Sequence, residues 1–490
     1  MRARVGQDGG VHLDALPGRP RTAGSSPDAA SGPGHGTPGE SRAAYDQAVQ
    51  RLRAQYAALP PGAPVRLAKP ASNLFRPRAS TQSPRLDVSA FSGVLSIDSV
   101  GRTADVGGMT TYERLVEATL PHGLMPLVVP QLKTITLGGA VTGLGIESSS
   151  FRNGLPHESV LDMDVLTGDG RVLRVAPGGE YDDLYAGFPN SYGTLGYALR
   201  LRIELAPVAP FVHVEHRPVR DVGRDLAPTL EAAVAETGVA FVDGTVFSPQ
   251  EAYVTVGRWA QTAGAASDYT LTEVYYRSVQ QRGEDDLTTA GYLWRWDPDW
   301  FWCSRAFGVQ TRPWLRRLLG RKRLRSDTWW RLVSFERRHG IAARVDRLRG
   351  RPDKEYVIQD VEVPVDALGE WLAFLDRQTG IRPVWVCPFR ARNPERQWPL
   401  YPLDPTQLWV NVGFWSSVAL PAGMRDGWHN RAIERELDRI GGHKSLYSTS
   451  FYPREEFDRL YGGTQYAALK ERYDPDRRLL DLYDKTVRRR

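Results

Sequence analysis

The densest run of residues able to do chemistry is Thr136-Leu137-Gly138-Gly139-Ala140-Val141-Thr142-Gly143-Leu144-Gly145-Ile146-Glu147-Ser148-Ser149-Ser150. Four glycines within eight residues let a backbone come close to a ligand and turn N–H groups toward phosphate oxygens, and the Ser and Thr hydroxyls add donors. A dinucleotide pyrophosphate is the natural occupant of such a cradle; the competing reading is an ordinary connecting loop. Two other phosphate patterns fail. A P-loop needs Lys and Ser/Thr after its last glycine, whereas Gly145 is followed by Ile146-Glu147. A dinucleotide-binding βαβ unit needs a strand running into the glycines and an amphipathic helix behind them. Here a helical pattern precedes the glycines and Ser-rich turn sequence follows. What remains is a phosphate-cradling loop inside a strand-rich α+β domain.

Proton-handling candidates are fewer. Glu147 ends the glycine loop, where it is either an acid/base group or a hydrogen-bond partner for backbone. Tyr447, Tyr452 and Tyr483 could supply a phenolic proton or simply pack, and Glu147 and Tyr452 are the catalytic pair selected from the sequence. His213-Val214-Glu215-His216 looks like a metal pair, but on a strand residues three apart point to opposite faces. Cys303 and Cys387 cannot build a thiolate site alone, and there is no HExxH or nucleophile-elbow pattern, so no metal is expected.

The elements that must position these groups begin after a Gly/Pro/Ser-rich stretch. Residues 1–40 contain no Phe, Trp, Tyr or Ile and are expected to be a disordered tail. From Ser41, Tyr45, Val49, Leu52 and Tyr56 recur at helical spacing. Short strands are predicted at Pro64–Ala68, Leu86–Phe91, Val94–Ser99 and Thr103–Gly107, then a helix opened by Thr110-Thr111-Tyr112-Glu113. Beyond the glycines come strands at Val160–Thr167 and Arg171–Ala176 and a strictly alternating one at Tyr197–Leu205. Pro207 and Pro210 mark a boundary. A second α+β unit follows, with strands at Phe211–Val219, Ala240–Phe247, Glu251–Trp259, Glu355–Val363, Val384–Cys387 and Leu408–Trp415, and helices near Asp225–Thr237 and Val365–Gln378. A strand Ser445–Phe451 and a helix Arg454–Leu460 open a C-terminal module.

The whole chain, 490 residues with 41% hydrophobic and 24% charged, has ample material for more than one core. No run of about 18 apolar residues occurs, and the first residues lack the apolar core of a secretory signal, so a cytoplasmic protein is expected. The net charge of +6 is modest for this length and no groove-reading motif accompanies it, so nucleic acid is not an expected partner. Trp294 to Trp330 holds seven of the fourteen Trp residues. There Trp300, Phe301, Trp302, Trp314, Leu315, Leu318 and Leu319 are interleaved with Arg305, Arg312, Arg316, Arg317, Arg321, Lys322, Arg323 and Arg325. Apolar anchors beside cations suit a peripheral contact with an anionic membrane through residues 300–325; a solvated basic face over an aromatic core is the other reading.

The combination resembles the FAD-binding (PCMH-type) domain of the vanillyl-alcohol-oxidase-type oxidoreductase superfamily. The matching marks are an early strand leading to Lys69-Pro70-Ala71-Ser72-Asn73-Leu74-Phe75-Arg76, then Thr136-Leu137-Gly138-Gly139 and Gly193-Thr194-Leu195-Gly196. Within the superfamily the sequence resembles the delta(24)-sterol reductases. The marks are Gly145-Ile146-Glu147-Ser148-Ser149-Ser150, Gln359-Asp360, Val384-Trp385-Val386-Cys387-Pro388-Phe389, Arg454-Glu455-Glu456-Phe457 and Tyr483-Asp484-Lys485.

The resemblance implies an α+β architecture with a two-subdomain FAD-binding domain over residues 46–207 and a substrate (cap) domain over 208–440. Residues 441–490 would pack back on the FAD domain. It implies FAD held by Ser72, Asn73, Thr136 through Ser148, Gly193 and Gly196. No histidine lies between His35 and His122 to bond a flavin, so FAD is expected to be non-covalent. It also implies reduction of a C=C bond in a sterol- or lipid-like substrate, with NADPH as a candidate electron donor. Two alternatives stand beside it: an FAD-linked dehydrogenase or oxidase of an alcohol or sugar, and a flavin-free membrane-associated binding protein. Where the sterol reductases carry a hydrophobic N-terminal anchor, residues 1–40 here are polar.

Overall fold

The computed structural model describes residues 38–69, 84–340, 344, 346 and 348–488. Residues 1–37 of the stretch read as a tail, together with Ser72 and Asn73, lie outside them; residues 38–40 already belong to a helix, Pro38–Ala57.

Two antiparallel sheets organise the chain. A short parallel pair, Leu67–Ala68 (β1) and Leu86–Asp87 (β2), precedes them. The first sheet contains Val94–Asp98 (β3), Thr103–Gly107 (β4), Leu124–Pro126 (β5), Val160–Leu166 (β6), Val172–Val175 (β7) and Tyr197–Pro207 (β8). Its order is β3-β4-β8-β6-β7, with β5 on the far part of β8. The second sheet contains Phe211–Val219 (β9), Phe241–Ser248 (β10), Glu251–Ala260 (β11), Glu284–Thr288 (β12), Lys354–Pro364 (β13), Val384–Phe389 (β14), Trp409–Ala419 (β15) and His443–Lys444 (β16). Its order is β12-β9-β11-β10-β14-β15-β13-β16.

Strict alternation in β8 predicts one buried face, but both faces are covered. Leu201, Ile203 and Leu205 enter the core beneath the glycine segment. Register with β6 jumps from Arg200–Asp164 to Ala198–Val165, leaving Leu199 as the extra residue of a bulge. Leu199 thereby turns to the opposite face and packs with Tyr45 and Leu52 of the first helix. Arg200 is buried under that helix, where it pairs with Asp105, Asp162 and, at 3.0 Å, Asp164. The Tyr45 hydroxyl donates to Asp164 at 2.7 Å. A buried guanidinium persists only with such partners, so the acidic side chains of β4 and β6 are part of the packing.

The second sheet has two unlike faces. On one, helices Val222–Ala235, Leu368–Thr379 and Trp428–Arg439 cover Val242, Val254, Val361, Val386 and Val412. On the other lie Phe241, Trp385, Cys387 and Trp409, joined to the aromatic residues of 292–302 and to the first domain. Side chains two apart on β13 share a face, so Asp360 and Glu362 fall on this second side while Val361 and Val363 face the helices.

Three expectations are corrected here. Ser445–Phe451 is not a strand; only His443–Lys444 joins the sheet, on Val361 and Glu362. The following residues are held by side chains instead, Ser445 donating to Glu362 at 2.7 Å and Ser448 to Gln359 at 2.6 Å. The glycine segment is not a loop throughout, since Leu137–Gly143 forms a short helix capped by Thr136. β5 and β12 were not read from the sequence, β12 because Glu284-Asp285-Asp286 looks like turn composition although it pairs with β9 at the sheet edge.

Candidate functional site

The glycine helix is pressed against the first sheet. Gly108 N–H donates to Leu199 O at 2.7 Å, and Gly138 N–H donates to Gly108 O at 2.9 Å. A Cβ on Gly138 would lie 2.8 Å from Gly108 O, and one on Gly108 would lie 2.0 Å from Ala198 O. Both glycines are therefore required for backbone to lie on backbone at the β8 bulge. The opposite side of the helix opens on a cavity of about 910 Å³.

This cavity gathers much of the segment singled out from the sequence. Thr136, Gly138, Gly139, Ala140, Thr142, Gly143, Leu144, Gly145, Ile146, Glu147 and Gly193 line it. Leu137 and Val141 face the core, and Ser148 sits behind the wall with its hydroxyl 3.0 Å from that of Tyr292. Gly196 is structural: its φ is +154° and a Cβ there would meet Leu166 O at 2.7 Å. Tyr452 is not part of the lining. It packs against Tyr461, and its carbonyl accepts from the Tyr483 hydroxyl, so its selection as a catalytic residue is corrected.

Backbone strain concentrates at the same place. Seven non-glycine residues among the described ones have positive φ, and four of them, Leu144 (+69°), Tyr192 (+50°), Phe301 (+60°) and Arg477 (+54°), line the cavity. Such conformations cost free energy and persist where the surroundings over-determine them, which is characteristic of ligand sites.

Three walls differ in chemistry. One is the glycine helix and the turn after it. A second carries cationic side chains, Arg66 and Arg85, which immediately precede β1 and β2, and Arg477 and Arg478 of the C-terminal module. That module is fastened to the first domain by buried Lys470, whose Nζ donates to Thr194 O at 2.8 Å and pairs with Asp474 at 2.5 Å. The third wall is aromatic: Phe301, Trp302, Trp385 and Trp415, with Asp360 and Tyr447 set among them.

Glu147 plays the backbone-binding role left open by the sequence. Its Oε1 accepts from Gln131 N–H at 2.9 Å and its Oε2 from the Gln131 side-chain amide. Burial pushes its carboxyl up to about 8, against the lowering effect of those bonds. Asp360 was noted in the sequence only as part of a family mark and was given no role. Burial raises it to about 7, opposed by hydrogen bonds from Tyr447 and Asn411. It stands directly opposite Gly413 on β15, where a Cβ would come within 2.5 Å of its Oδ1. Nothing in local sequence announces this pair, because strand register alone brings Gly413 to Asp360 and a later loop brings Tyr447.

The Trp/Arg segment is divided between interior and surface. Trp296, Trp300, Phe301 and Trp302 are buried, and Arg316 is fully buried, pairing with Asp299 at 2.5 Å and donating to Leu271 O. The aromatic residues at 300–302 are therefore core, whereas Arg312, Arg317, Arg321, Lys322 and Arg323 lie at the surface. Trp314 and Leu318 remain exposed, Arg321 pairs with Asp268, and Arg325 makes two 2.7 Å bonds to Glu113. His213 and His216 face apart, bonded to Asp286 and Thr255 respectively.

Comparison with known proteins fits this geometry. Residues 49–176 match the family described as FAD binding domain. That match covers about a quarter of the chain and places the FAD-binding signature on the first sheet and its helices. The chain is 25% identical over 445 residues to a delta(24)-sterol reductase of Arabidopsis thaliana, covering 83% of this chain and 77% of that protein. It is 25% identical over 409 residues to the Homo sapiens delta(24)-sterol reductase, covering 80% and 75%. Over 123 residues it is 34% identical to a decaprenylphosphoryl-beta-D-ribose oxidase of Mycolicibacterium smegmatis, 25% of this chain and 26% of that protein.

FAD suits the residues present. A side chain at Gly143 would occupy the cavity beside the wall and a Cβ on Gly139 would press on the Thr136 hydroxyl at 2.8 Å, that hydroxyl and the cationic wall complement a pyrophosphate, and the aromatic wall offers apolar surface to a flat ring.

Proposed function

We propose that this protein is a reductase of a C=C bond in an apolar, sterol- or lipid-like molecule, using non-covalently held FAD reloaded by NADPH. The observation that carries the reading is one cavity that joins a glycine wall and a cationic wall to an aromatic wall holding Asp360 and Tyr447. The relatives' names as delta(24)-sterol reductases support the reaction and substrate class. Among the described residues lining the cavity there is no His or Cys, which favours a flavin without a covalent link through either.

Bound FAD would supply hydride transfer. The chain's own residues do the rest. The glycine backbone and the Thr136 hydroxyl hold phosphate, and Arg66 and Arg85 neutralise it. Glu147 fixes the segment at Gln131 that forms the neighbouring wall. Trp302, Trp385 and Trp415 exclude water and accept an apolar substrate. Asp360, protonated below about pH 7 and held by Tyr447, is the group that supplies a proton to the substrate carbon beside the one receiving hydride.

Anaerobic mixing of the purified protein with NADPH tests this. Bleaching of the flavin by NADPH, reversed on adding an apolar alkene, is the expected result. Bleaching only by an alcohol or sugar would replace the reductase with a dehydrogenase, and a colourless protein that takes up no FAD would remove both.

A further inference from the structure

We propose that the helix Ser326–His339 is an interfacial element that seats the mouth of the cavity on an anionic lipid surface; this rests on the reading of the substrate as apolar. One side of this helix, Trp329 and Val333, packs into the core. The next, Asp327, Trp330 and Arg331, lines the cavity. Leu332 and Phe335 lie on the adjoining face, 43% and 57% exposed, with the His339 ring tilted at 47° and its centroid 4.4 Å from that of Phe335. Residues three and four apart on a helix are neighbours, so Phe335 adjoins Arg331, and Leu332 directly follows it. An exposed apolar strip thus borders the cavity opening on the same rigid element. A solvated helix gains nothing from two large apolar side chains there, whereas a lipid surface would bury them.

Charge selects the kind of surface. Arg331 is 75% exposed and tied only loosely to Asp327, at 3.7 Å. The preceding turn carries Lys322 and Arg323, both exposed and without an ion pair among the described residues. Cations around an apolar strip complement acidic lipid headgroups and oppose docking of a second, equally cationic copy. The contact therefore takes in the last basic residues of the 300–325 stretch, where the sequence pointed, and draws its apolar side chains from the helix that follows. Its consequence is that an apolar substrate could pass from the bilayer to the aromatic wall beside Trp330 without crossing water.

Sedimentation of the full-length flavin-loaded protein with phosphatidylcholine vesicles, with and without phosphatidylglycerol, tests the proposal. The parent should bind the anionic vesicles and be released by salt, because exposed attractions are screened within about 10 Å at 0.1 M. Leu332→Ser/Phe335→Ser should bind about tenfold more weakly with flavin content and Tm unchanged, since both side chains are exposed. A Trp314→Ser/Leu318→Ser protein should bind as the parent does. Absence of binding at low salt, equal binding by Leu332→Ser/Phe335→Ser, or loss only in Trp314→Ser/Leu318→Ser would overturn it. A concentration-dependent dimer abolished by Leu332→Ser/Phe335→Ser, without vesicle binding, would overturn it in favour of a second copy. The NADPH bleaching experiment uses no vesicles, so its failure is separable from this one.

Discussion

Gly138 and Gly143 lie on one short helix, yet replacing them should have opposite effects. At Gly138 an added Cβ would lie 2.8 Å from Gly108 O and 3.4 Å from Ala198 O, both backbone atoms of the first sheet. Ordinary contact needs roughly half an ångström more. The helix must lift by about that much, weakening the bonds from Gly138 N–H to Gly108 O and from Leu137 N–H to Thr110 O, each 2.9 Å. Overpacking costs about 1–3 kcal/mol and the weakened bonds about 1 kcal/mol, against a helix-propensity gain of about 1 kcal/mol. Gly138→Ala should therefore lose roughly 2 kcal/mol, seen as a Tm lowered by about 2–4 °C in flavin-stripped protein. At Gly143 the nearest atom to an added Cβ is the movable Tyr192 ring at 3.3 Å, and the remaining space is cavity. Gly143→Val should keep the flavin-free Tm within about 1 °C of the parent yet carry little or no flavin by visible absorbance. If Gly138→Ala melts like the parent with a full flavin complement, or Gly143→Val destabilises the flavin-free protein as much, the assignment of one face to the sheet and the other to the ligand is wrong.

Asp360→Asn should leave flavin content unchanged and slow substrate reduction about a hundredfold or more, and the parent's fall in rate as pH rises through about 7 should vanish, as single-turnover kinetics across pH would show. Burial raises the Glu147 carboxyl from 4.5 to about 8, so its neutral form is the one favoured on folding; its contribution is full below the lower value, declines as pH rises and is gone above about 8, and Glu147→Gln should flatten the parent's decline in Tm between about pH 5 and 8. Arg316→Met leaves Asp299 buried without its cation and should cost about 3–5 kcal/mol in denaturant unfolding, whereas Arg317→Met, at an exposed position, should cost under about 0.5 kcal/mol. Acid precipitation should release all flavin into the supernatant; colour retained in the washed pellet would show a covalent bond.

Much of this protein is set by local sequence. Alternation in Tyr197–Leu205, the valine-rich runs of β13 and β15 and the helical spacing of Leu226, Leu230 and Ala233 reflect periodicities that burial imposes over a few residues. The glycine composition of 138–145 likewise marks a place where backbone must come close to something. Which glycine meets the sheet and which the cavity depends on the bulge at Leu199, a feature of pairing between β6 and β8 invisible in either strand alone. The Trp/Arg segment shows the same limit. Alternating aromatic and cationic residues read as a surface, but Asp243, Asp299 and Glu113, distant in sequence, supply the partners that let Arg295 and Arg316 go inside and hold Arg325 partly buried. Asp360 is the sharpest case. One carboxyl among many in the chain becomes a candidate proton donor because Gly413 leaves room opposite it and Trp385, Trp415 and Tyr447 enclose it, and those contacts are made by register and chain return rather than by neighbours in sequence.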